Sequence, residues 1–287
     1  MTKTRSTAFA ALLLTTVIWG LSPPIIKYTL QFVTPITFLF FRFLIVSLIL
    51  AIPLSIKIKK QKLNNWPSYL WLGFLATPLN LYLLFTGLAK TSSLDGSIIN
   101  AISPILVVIG GVFYLKEKVN KKESLGILIT LLGVALTIIQ PFLEGKANHN
   151  AWGNILVFGG TAVWAVFTLL TKKSKLDPFI LTASSFVVGL ILFLPLYLAQ
   201  PNQNLFVLPA QSLWGILYMA ILGSIVAYFT FIYGVSKIEA SEASMFAYLQ
   251  PIFALPLAFV LLGERITLPF VLGALLIASG VFICEKR

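Results

Sequence analysis

Long runs of apolar residues recur along almost the whole chain, and they constrain its fold more than any other feature. A helix that crosses the hydrocarbon core of a bilayer needs about 20 mostly apolar residues. The chain is 58% hydrophobic and only 10% charged, and the short connections between runs leave no room for a soluble domain. We therefore predict an all-α polytopic membrane protein with ten transmembrane helices, near residues 8–27, 36–56, 68–89, 97–115, 124–140, 152–172, 178–198, 212–234, 243–262 and 268–284.

The positive charge of the chain is distributed unevenly between the two sides of the predicted bundle. If the N-terminus is cytoplasmic, 16 of the 21 basic residues fall in cytoplasmic loops and tails. Lys27, Lys90, Lys146 and Arg265 fall on the outer side, and Arg42 falls within a span. Cytoplasmic loops are enriched in Lys and Arg, so the net charge of +12 reflects topology and does not indicate a nucleic-acid partner. We predict a multi-pass protein of the plasma membrane with cytoplasmic N- and C-termini.

The beginning of the chain only partly fits a cleaved signal peptide. Basic residues precede an apolar run, but no small-x-small cleavage site follows, and Pro23 and Pro24 stand where one is expected. We therefore predict an uncleaved first span. The single cysteine, Cys284, forms neither a disulfide within the chain nor a thiolate metal site. We expect no cofactor and no metal.

The second half of the chain repeats the first. A shift of 147 residues places Gly87–Val134 on Gly234–Val281 without a gap and matches Pro104 to Pro251. Further matched pairs are Lys90 and Lys237, Ser97 and Ser244, Glu117 and Glu264, Gly126 and Gly273, and Gly133 and Gly280. Five spans are an odd number, so the second copy enters the membrane from the opposite side. We predict two inverted five-helix repeats, residues 1–145 and 146–287, an architecture that recurs among secondary transporters.

Four short runs resemble a known family. LLGERITLPFVLGALLIASGVFI, from Leu261, resembles the end of the second repeat in EamA-like members of the drug/metabolite transporter superfamily. YLKEKVNKKESLGILITLLGVAL, from Tyr114, resembles the end of the first repeat, and VIWGLSPPIIK and FFRF are also similar to that family. The resemblance covers essentially the whole chain. It implies ten helices in a 5 + 5 arrangement and a plasma-membrane exporter or exchanger of small metabolites, often amino acids or their relatives.

Prolines near the middle of the fourth and ninth spans point to a substrate site. A proline inside a helix removes one hydrogen bond and displaces the carbonyl four residues earlier, which belongs to Asn100 for Pro104 and to Ala247 for Pro251. Paired helix interruptions in the two halves indicate a binding site at the midplane, while packing kinks are the alternative. We predict that the polar residues beside them line a central cavity: Asn100, Ser103, Tyr248 and Gln250.

Other residues of the predicted substrate-binding set come from the first, third, sixth and eighth spans. Asn80 follows Pro78, and an amide in hydrocarbon needs a partner, so it contacts either a neighbouring helix or a wet cavity. Tyr228 in the eighth span is one of the approximate counterparts of Asn80 in the second half, with Ala227 and Phe229. Trp19 and Trp164 lie on the paired first helices, where aromatic walls or gates are one interpretation and packing is the other.

Arg42 stands among eight apolar neighbours in FLFFRFLIV, residues 38 to 46. It lies about 9 Å along the helix from Ile36, and its counterpart in the second half is Ser185. An intramembrane arginine indicates function by default, and its guanidinium suits a carboxylate or phosphate. Snorkelling to the headgroups or a structural hydrogen-bonding hub are the alternatives, because EamA-like proteins that differ in substrate share an arginine here. The sequence leaves this choice open.

Other function classes find little support in the sequence. The only histidine, His149, lies in a predicted outer loop, and neither HExxH nor paired membrane aspartates occur, so a membrane enzyme is not predicted. The acidic residues lie at helix ends or in loops, where Glu117 and Glu264 are expected to cap or anchor. No dedicated ion site is predicted, and the sequence leaves the choice between ion coupling and facilitated diffusion or exchange open. We predict a secondary transporter of small organic metabolites that works by alternating access. A passive, channel-like facilitator is the alternative.

The repeated glycines predict a close helix contact. Gly126 and Gly133 share one helix face, as do Gly273 and Gly280. Small residues let membrane helices approach closely. The contact joins either the fifth and tenth helices or two protomers of a homodimer.

Overall fold

The computed structural model describes residues 3–60, 65–115, 121–143, 151–174, 176–201, 207–237, 245–264 and 266–285. Every regular element within these ranges is helical. The α-helices are α1 (Lys3–Thr29), α2 (Pro35–Lys60), α3 (Trp66–Phe74), α4 (Asn80–Lys90), α5 (Ser93–Asn100), α6 (Ser103–Leu115), α7 (Lys121–Leu143), α8 (Trp152–Lys173), α9 (Pro178–Leu198), α10 (Ala210–Ala220), α11 (Ala227–Lys237), α12 (Gln250–Leu262) and α13 (Leu268–Glu285). The all-α prediction is confirmed for these residues.

Seven helical stretches are long and apolar enough to cross a bilayer, counted within the described ranges. They correspond to the predicted spans one to four and six to eight: Arg5–Thr29, Pro35–Lys60, Trp66–Lys90, Ser93–Gly111, Trp152–Thr171, Pro178–Leu198 and Ala210–Gly234. Three shorter apolar helices, Ser124–Gly133, Gln250–Leu262 and Phe270–Gly280, lie within the fifth, ninth and tenth predicted spans. The count of ten membrane-crossing helices, like the inversion of the halves, stays a prediction.

The two halves of the chain pack against each other along their length. α1 contacts α11 and α12, α2 contacts α9, α4 contacts α8, and α7 contacts α13. Glycine faces permit several of these approaches: the backbone of α12 lies against Gly20 of α1, and the backbone of α8 lies against Gly87 of α4. The main core is rich in aromatic side chains from α2 and α9. The helices of each half therefore pack mainly against helices of the other half.

The outward faces of the helices are apolar. Leu48 and Ile52 on α2 are 67% and 71% exposed, and Val260 on α12 is 75% exposed. Extended apolar surfaces of this kind mark contact with a protein partner or a membrane. Together with the length of the helices, they fit a bundle surrounded by lipid.

Two regular helices are interrupted by π-helical segments at related positions. Leu75–Leu79 joins α3 to α4, and Ile221–Val226 joins α10 to α11. The shift of 147 residues that relates the halves places Leu75 on Leu222 and Leu79 on Val226. π-helical turns are rare and frequently lie at functional sites. These two segments are therefore candidates for positions at a functional site.

The predicted glycine contact joins α7 and α13 within one chain. A β-carbon on Gly133 would lie 2.9 Å from the carbonyl oxygen of Gly273. One on Gly280 would lie 2.6 Å from both the carbonyl oxygen of Gly126 and the backbone nitrogen of Thr130. The matched glycines of the repeat therefore pack the fifth predicted span against the tenth.

We expect Gly280→Ala to destabilise the bundle, because backbone atoms surround the added methyl group and cannot move independently of their helices. Overpacking of this kind costs about 1–3 kcal/mol. Gly159→Ala on α8 is the matched control, since its β-carbon would lie 3.7 Å from its nearest neighbour, Leu83. Thermal unfolding of the purified protein in detergent measures both variants. Equal midpoints for Gly280→Ala and the wild type would contradict the close contact.

Candidate functional site

A cavity of about 130 Å³ lies between the two halves. Its wall includes side chains from α1, α2, α4, α5, α6, α8, α10, α11 and α12. Eight residues of the predicted substrate-binding set line it together with one predicted proline: Trp19, Arg42, Asn80, Asn100, Ser103, Trp164, Tyr228, Gln250 and Pro104. The structure thus brings together residues that lie up to 231 positions apart in the sequence. That they bind a substrate stays a prediction.

Two other predicted residues stand apart from this group. Pro251 is the second residue of α12 and is not among the described residues that line the cavity. Tyr248 lies in the turn of 3-10 helix Met245–Leu249, but its side chain falls outside the part of the chain that the structure describes.

The paired prolines occupy the first turns of new helices instead of the interiors of continuous ones. α5 ends at Asn100, α6 begins at Ser103, and Pro104 is its second residue. Pro251 holds the same position in α12, after the 3-10 turn. A proline has no N–H to lose in the first turn of a helix, where that group has no intrahelical partner anyway. The helix breaks therefore fall just before the prolines. Asn100 and Gln250 lie at these breaks because Asn100 ends α5 and Gln250 begins α12.

An amide bridge connects the two interrupted helices. Nδ2 of Asn100 donates to Oε1 of Gln250 at 3.3 Å, so the first half contacts the second at the cavity wall. The hydroxyl of Thr161 on α8 lies 3.3 Å from Oδ1 of Asn100 and 2.9 Å from the carbonyl oxygen of Val157, the nearer of its two acceptors. Sequence reasoning missed Thr161, which is one of three threonines in the sixth span and has no feature that distinguishes it from the other two.

Asn80 serves as a contact between helices as well as a wall residue. Its Nδ2 donates to the carbonyl oxygen of Gly160 on α8 at 2.7 Å. The absence of a side chain at Gly160 lets α4 approach this closely, since a β-carbon there would lie 3.1 Å from the carbonyl oxygen of Asn80. The structure therefore contains the interhelical hydrogen bond and also places Asn80 in the cavity wall, and contact with a ligand stays a prediction.

Arg42 is held against the second half by one side of its guanidinium. Only 1% of the residue is exposed. Its Nε donates to Oγ of Ser224 at 2.7 Å, and Nη2 lies 3.5 Å from the carbonyl oxygen of Gly223. The ring of Phe85 lies 5.6 Å from the guanidinium carbon. Nη1 is buried and has no hydrogen-bond partner among the described residues. The guanidinium therefore does not snorkel to a surface.

The π-helical segment Ile221–Val226 supplies the acceptors for Arg42. The hydroxyl of Ser224 donates to the carbonyl oxygen of Met219 at 2.8 Å, which leaves its lone pairs for Nε of Arg42. The carbonyl oxygen of Gly223 also accepts a hydrogen bond of 3.0 Å from Nε1 of Trp19. Sequence reasoning missed Gly223 and Ser224. Their signal is a small, polar Gly-Ser pair inside the apolar eighth span.

Three aromatic rings form a cluster beside Arg42. Trp19 and Trp164 lie edge to face with centroids 5.8 Å apart, and Tyr228 lies 5.5 Å from Trp19 and 5.8 Å from Trp164. Phe231 contacts both tryptophans. Edge-to-face contacts are the favoured geometry for aromatic pairs. The two tryptophans predicted to be paired walls do lie side by side along the cavity.

The cavity carries positive charge without a counter-charge. Arg42 is the only charged residue among the described residues that line it. No group of three His, Cys, Asp or Glu side chains within the described ranges is placed to hold a metal ion. Its polar wall therefore consists of one guanidinium together with amides and hydroxyls.

We expect Ser224→Ala to destabilise the protein, because it leaves Nε of Arg42 buried without a partner. An unsatisfied buried donor costs about 1–3 kcal/mol. Ser184→Ala on α9 is the matched control, since in the described part of the chain that half-buried hydroxyl bonds only to the carbonyl oxygen of Leu181 on its own helix. Thermal unfolding in detergent compares the two. A loss in Ser224→Ala no larger than in Ser184→Ala would refute the anchoring role of this hydroxyl.

Known proteins resemble this chain along its whole length. The model of the EamA-like transporter family matches residues 6–139 and, again, residues 151–284. An uncharacterized transporter of Archaeoglobus fulgidus is 31% identical over 96% of this chain and 98% of its own. The uncharacterized transporter YyaM of Bacillus subtilis is 31% identical over 89% of this chain and 86% of its own. A crystal structure with a TM-score of 0.70 and 15% identity covers 98% of both chains and shows a similar fold.

Proposed function

Because the chain belongs to the EamA-like transporter family, we propose that it is a secondary transporter of small organic metabolites such as amino acids. It exports or exchanges them across the plasma membrane by alternating access, with ten spans in two inverted repeats and both termini in the cytoplasm. A multi-pass membrane protein of a transporter family is the premise. The direction, substrate and mechanism are the proposal.

The observation that carries the proposal is the cavity between the halves. Its polar groups come from both repeats: Asn100 lies at the end of α5, and Gln250 lies at the start of α12. Interrupted helices that meet between two repeats are the usual setting of a transporter's binding site. A volume of about 130 Å³ is smaller than the roughly 300–1,000 Å³ of drug-sized sites, which favours a small solute.

A contact between the halves joins them at one end of the bundle. The carboxylate of Glu264 accepts hydrogen bonds from the backbone nitrogens of Ser93 and Leu94 at 2.8 and 3.1 Å, and from the hydroxyl of Ser93 at 3.0 Å. A carboxylate at a helix N-terminus is favoured by the dipole. The capping expected of Glu264 thus acts on α5, in the other half of the chain, and not on the helix that follows it. By the predicted topology this is the outer end, which alternating access requires to open.

We expect Glu264→Gln to weaken closure of this end, because the charge that holds the N-terminus of α5 is lost. The readout is labelling of a thiol introduced by Ser22→Cys, a buried cavity residue, in a Cys284→Ser background with a membrane-impermeant reagent. Glu264→Gln should raise the labelling rate from outside at least threefold.

Asp177→Asn is the matched control. Asp177 also caps a helix, α9, and its carboxylate pairs with Lys57 at 2.7 Å, but it lies at the end predicted to be cytoplasmic. It should leave outside labelling unchanged. Equal labelling of wild type and Glu264→Gln would contradict the gating role.

Counterflow in proteoliposomes tests the transport proposal itself. With pools of labelled amino acids, nucleosides and organic acids, unlabelled internal solute should stimulate uptake of label, because a carrier returns faster when loaded. Asn100→Ala and Gln250→Ala should each remove at least half of this uptake at equal protein content, and Ser184→Ala should not. Flux without stimulation from the opposite side would replace the carrier with a channel-like facilitator.

A further inference from the structure

We propose that the cavity takes a small organic monoanion, an apolar body that carries one carboxylate, with the carboxylate at Nη1 of Arg42. This assignment rests on the proposed function, and among the small organic metabolites named there it favours monocarboxylates over amino acids. Four features of the molecule support it. Nη1 of Arg42 donates to no described residue, the charge of Arg42 has no acidic partner in the described lining, its repeat counterpart is the neutral Ser185, and the remaining wall presents aromatic surface.

The unused donor is Nη1. A guanidinium has five N–H groups, and those of Nε and Nη2 face Ser224 and Gly223. Nη1 holds two more, lies buried, and has no partner in the described part of the chain. Because Arg42 lines the cavity, an oxygen atom of a solute is the natural acceptor for these groups.

The uncompensated charge favours an anion over a neutral acceptor. A buried cation is stable only when it is paired or well hydrogen-bonded. No acidic side chain lines the cavity among the described residues, and the groups that face the guanidinium are the Ser224 hydroxyl, the Gly223 carbonyl, the Phe85 ring and Tyr228. A carboxylate at Nη1 would supply the missing charge through a charge-assisted hydrogen bond.

The second half shows that the scaffold does not require an arginine here. Ser185 of α9 is the repeat counterpart of Arg42, and Thr77 is that of Ser224 under the shift of 147. The equivalent contact exists without any charge, since the hydroxyl of Thr77 donates to the carbonyl oxygen of Ser185 at 2.8 Å. A helix and a π-helical segment are thus joined by neutral groups in one half. The charge of Arg42 is an addition to this joint, and it points to a ligand.

The remaining wall limits what the anion carries with it. Trp19, Trp164, Tyr228 and Phe231 present aromatic surface, which suits an apolar body. A phosphate dianion would need a second cation, and the described lining contains none. An ammonium group would meet the like charge of Arg42, and the described lining contains no acidic side chain to offset that repulsion. A monocarboxylate therefore fits better than a phosphate ester, an amine or a zwitterionic amino acid.

Four probes that share one body and differ in the head group test the assignment. They are 3-phenylpropanoate, 3-phenylpropan-1-ol, 3-phenylpropylamine and L-phenylalanine, titrated calorimetrically at pH 7 into the full-length protein in detergent. In the wild type, 3-phenylpropanoate should bind at least tenfold more tightly than each of the others. Arg42→Gln should weaken 3-phenylpropanoate at least tenfold and change the alcohol less than threefold. Arg42→Lys keeps the charge without Nη1 and should give an intermediate loss.

Several outcomes would overturn the assignment. These are equal binding of the acid and the alcohol, tighter binding of L-phenylalanine than of the acid, unchanged binding of the acid by Arg42→Gln, or no binding of the acid to the wild type. Size-exclusion profiles establish that the variants are folded. If Arg42→Gln does not fold, the order of the four probes on the wild type still decides.

Failure of this assignment is distinguishable from failure of the proposed function. Counterflow that is carried only by neutral or cationic solutes would leave the transporter in place and remove the anion site. Arg42-dependent binding of 3-phenylpropanoate without stimulated exchange would leave the anion site in place and remove the carrier.

Discussion

The contact between Arg42 and the π-helical segment Ile221–Val226 is the interaction on which the candidate site depends. Polar groups in an apolar bundle must find partners inside the protein, and a permanent charge has the strictest requirement. The segment meets part of it with the hydroxyl of Ser224 and the carbonyl oxygen of Gly223, which also accepts from Trp19. This one joint therefore fixes α1 and α2 of the first half against the second half, and it leaves Nη1 of Arg42 buried without a partner among the described residues.

The same requirement explains the rest of the cavity wall. Helices broken within the bundle expose backbone and side-chain groups that need partners, and such breaks are tolerated where they face protein or a cavity. Asn100 and Gln250 satisfy each other at two such breaks. Thr77 satisfies the carbonyl oxygen of Ser185 at the other π-helical segment. These polar contacts between the halves thus lie where helices are interrupted or π-helical. Glycine contacts, such as that of Gly133 with α13, join the regular helices.

Periodicity and composition were sufficient to predict the helical fold and most of the candidate site. The predicted span 178–198 coincides with α9 (Pro178–Leu198), because a proline begins it and polar residues follow it. Prolines, amides and an arginine stand out in apolar runs, so eight of the predicted binding residues proved to line one cavity. The π-helical segments escaped prediction, since a shift from i−4 to i−5 hydrogen bonds changes no residue type. Thr161, Gly223 and Ser224 escaped with them, because a small polar residue in a membrane helix usually packs.

The sequence by itself determined that the chain forms apolar helices in two related halves. The length of each apolar run and the recurrence of glycines and prolines at a fixed spacing can both be read from the order of residues alone. It also determined that Arg42 has no charged counterpart in the second half. Only the tertiary structure decided what each polar group contacts: that Asn80 bonds to the carbonyl oxygen of Gly160, that Glu264 caps α5 in the other half, and that one nitrogen of Arg42 has no partner within the described ranges. Partners that lie 80 or more residues apart are chosen by packing, and no local pattern records that choice.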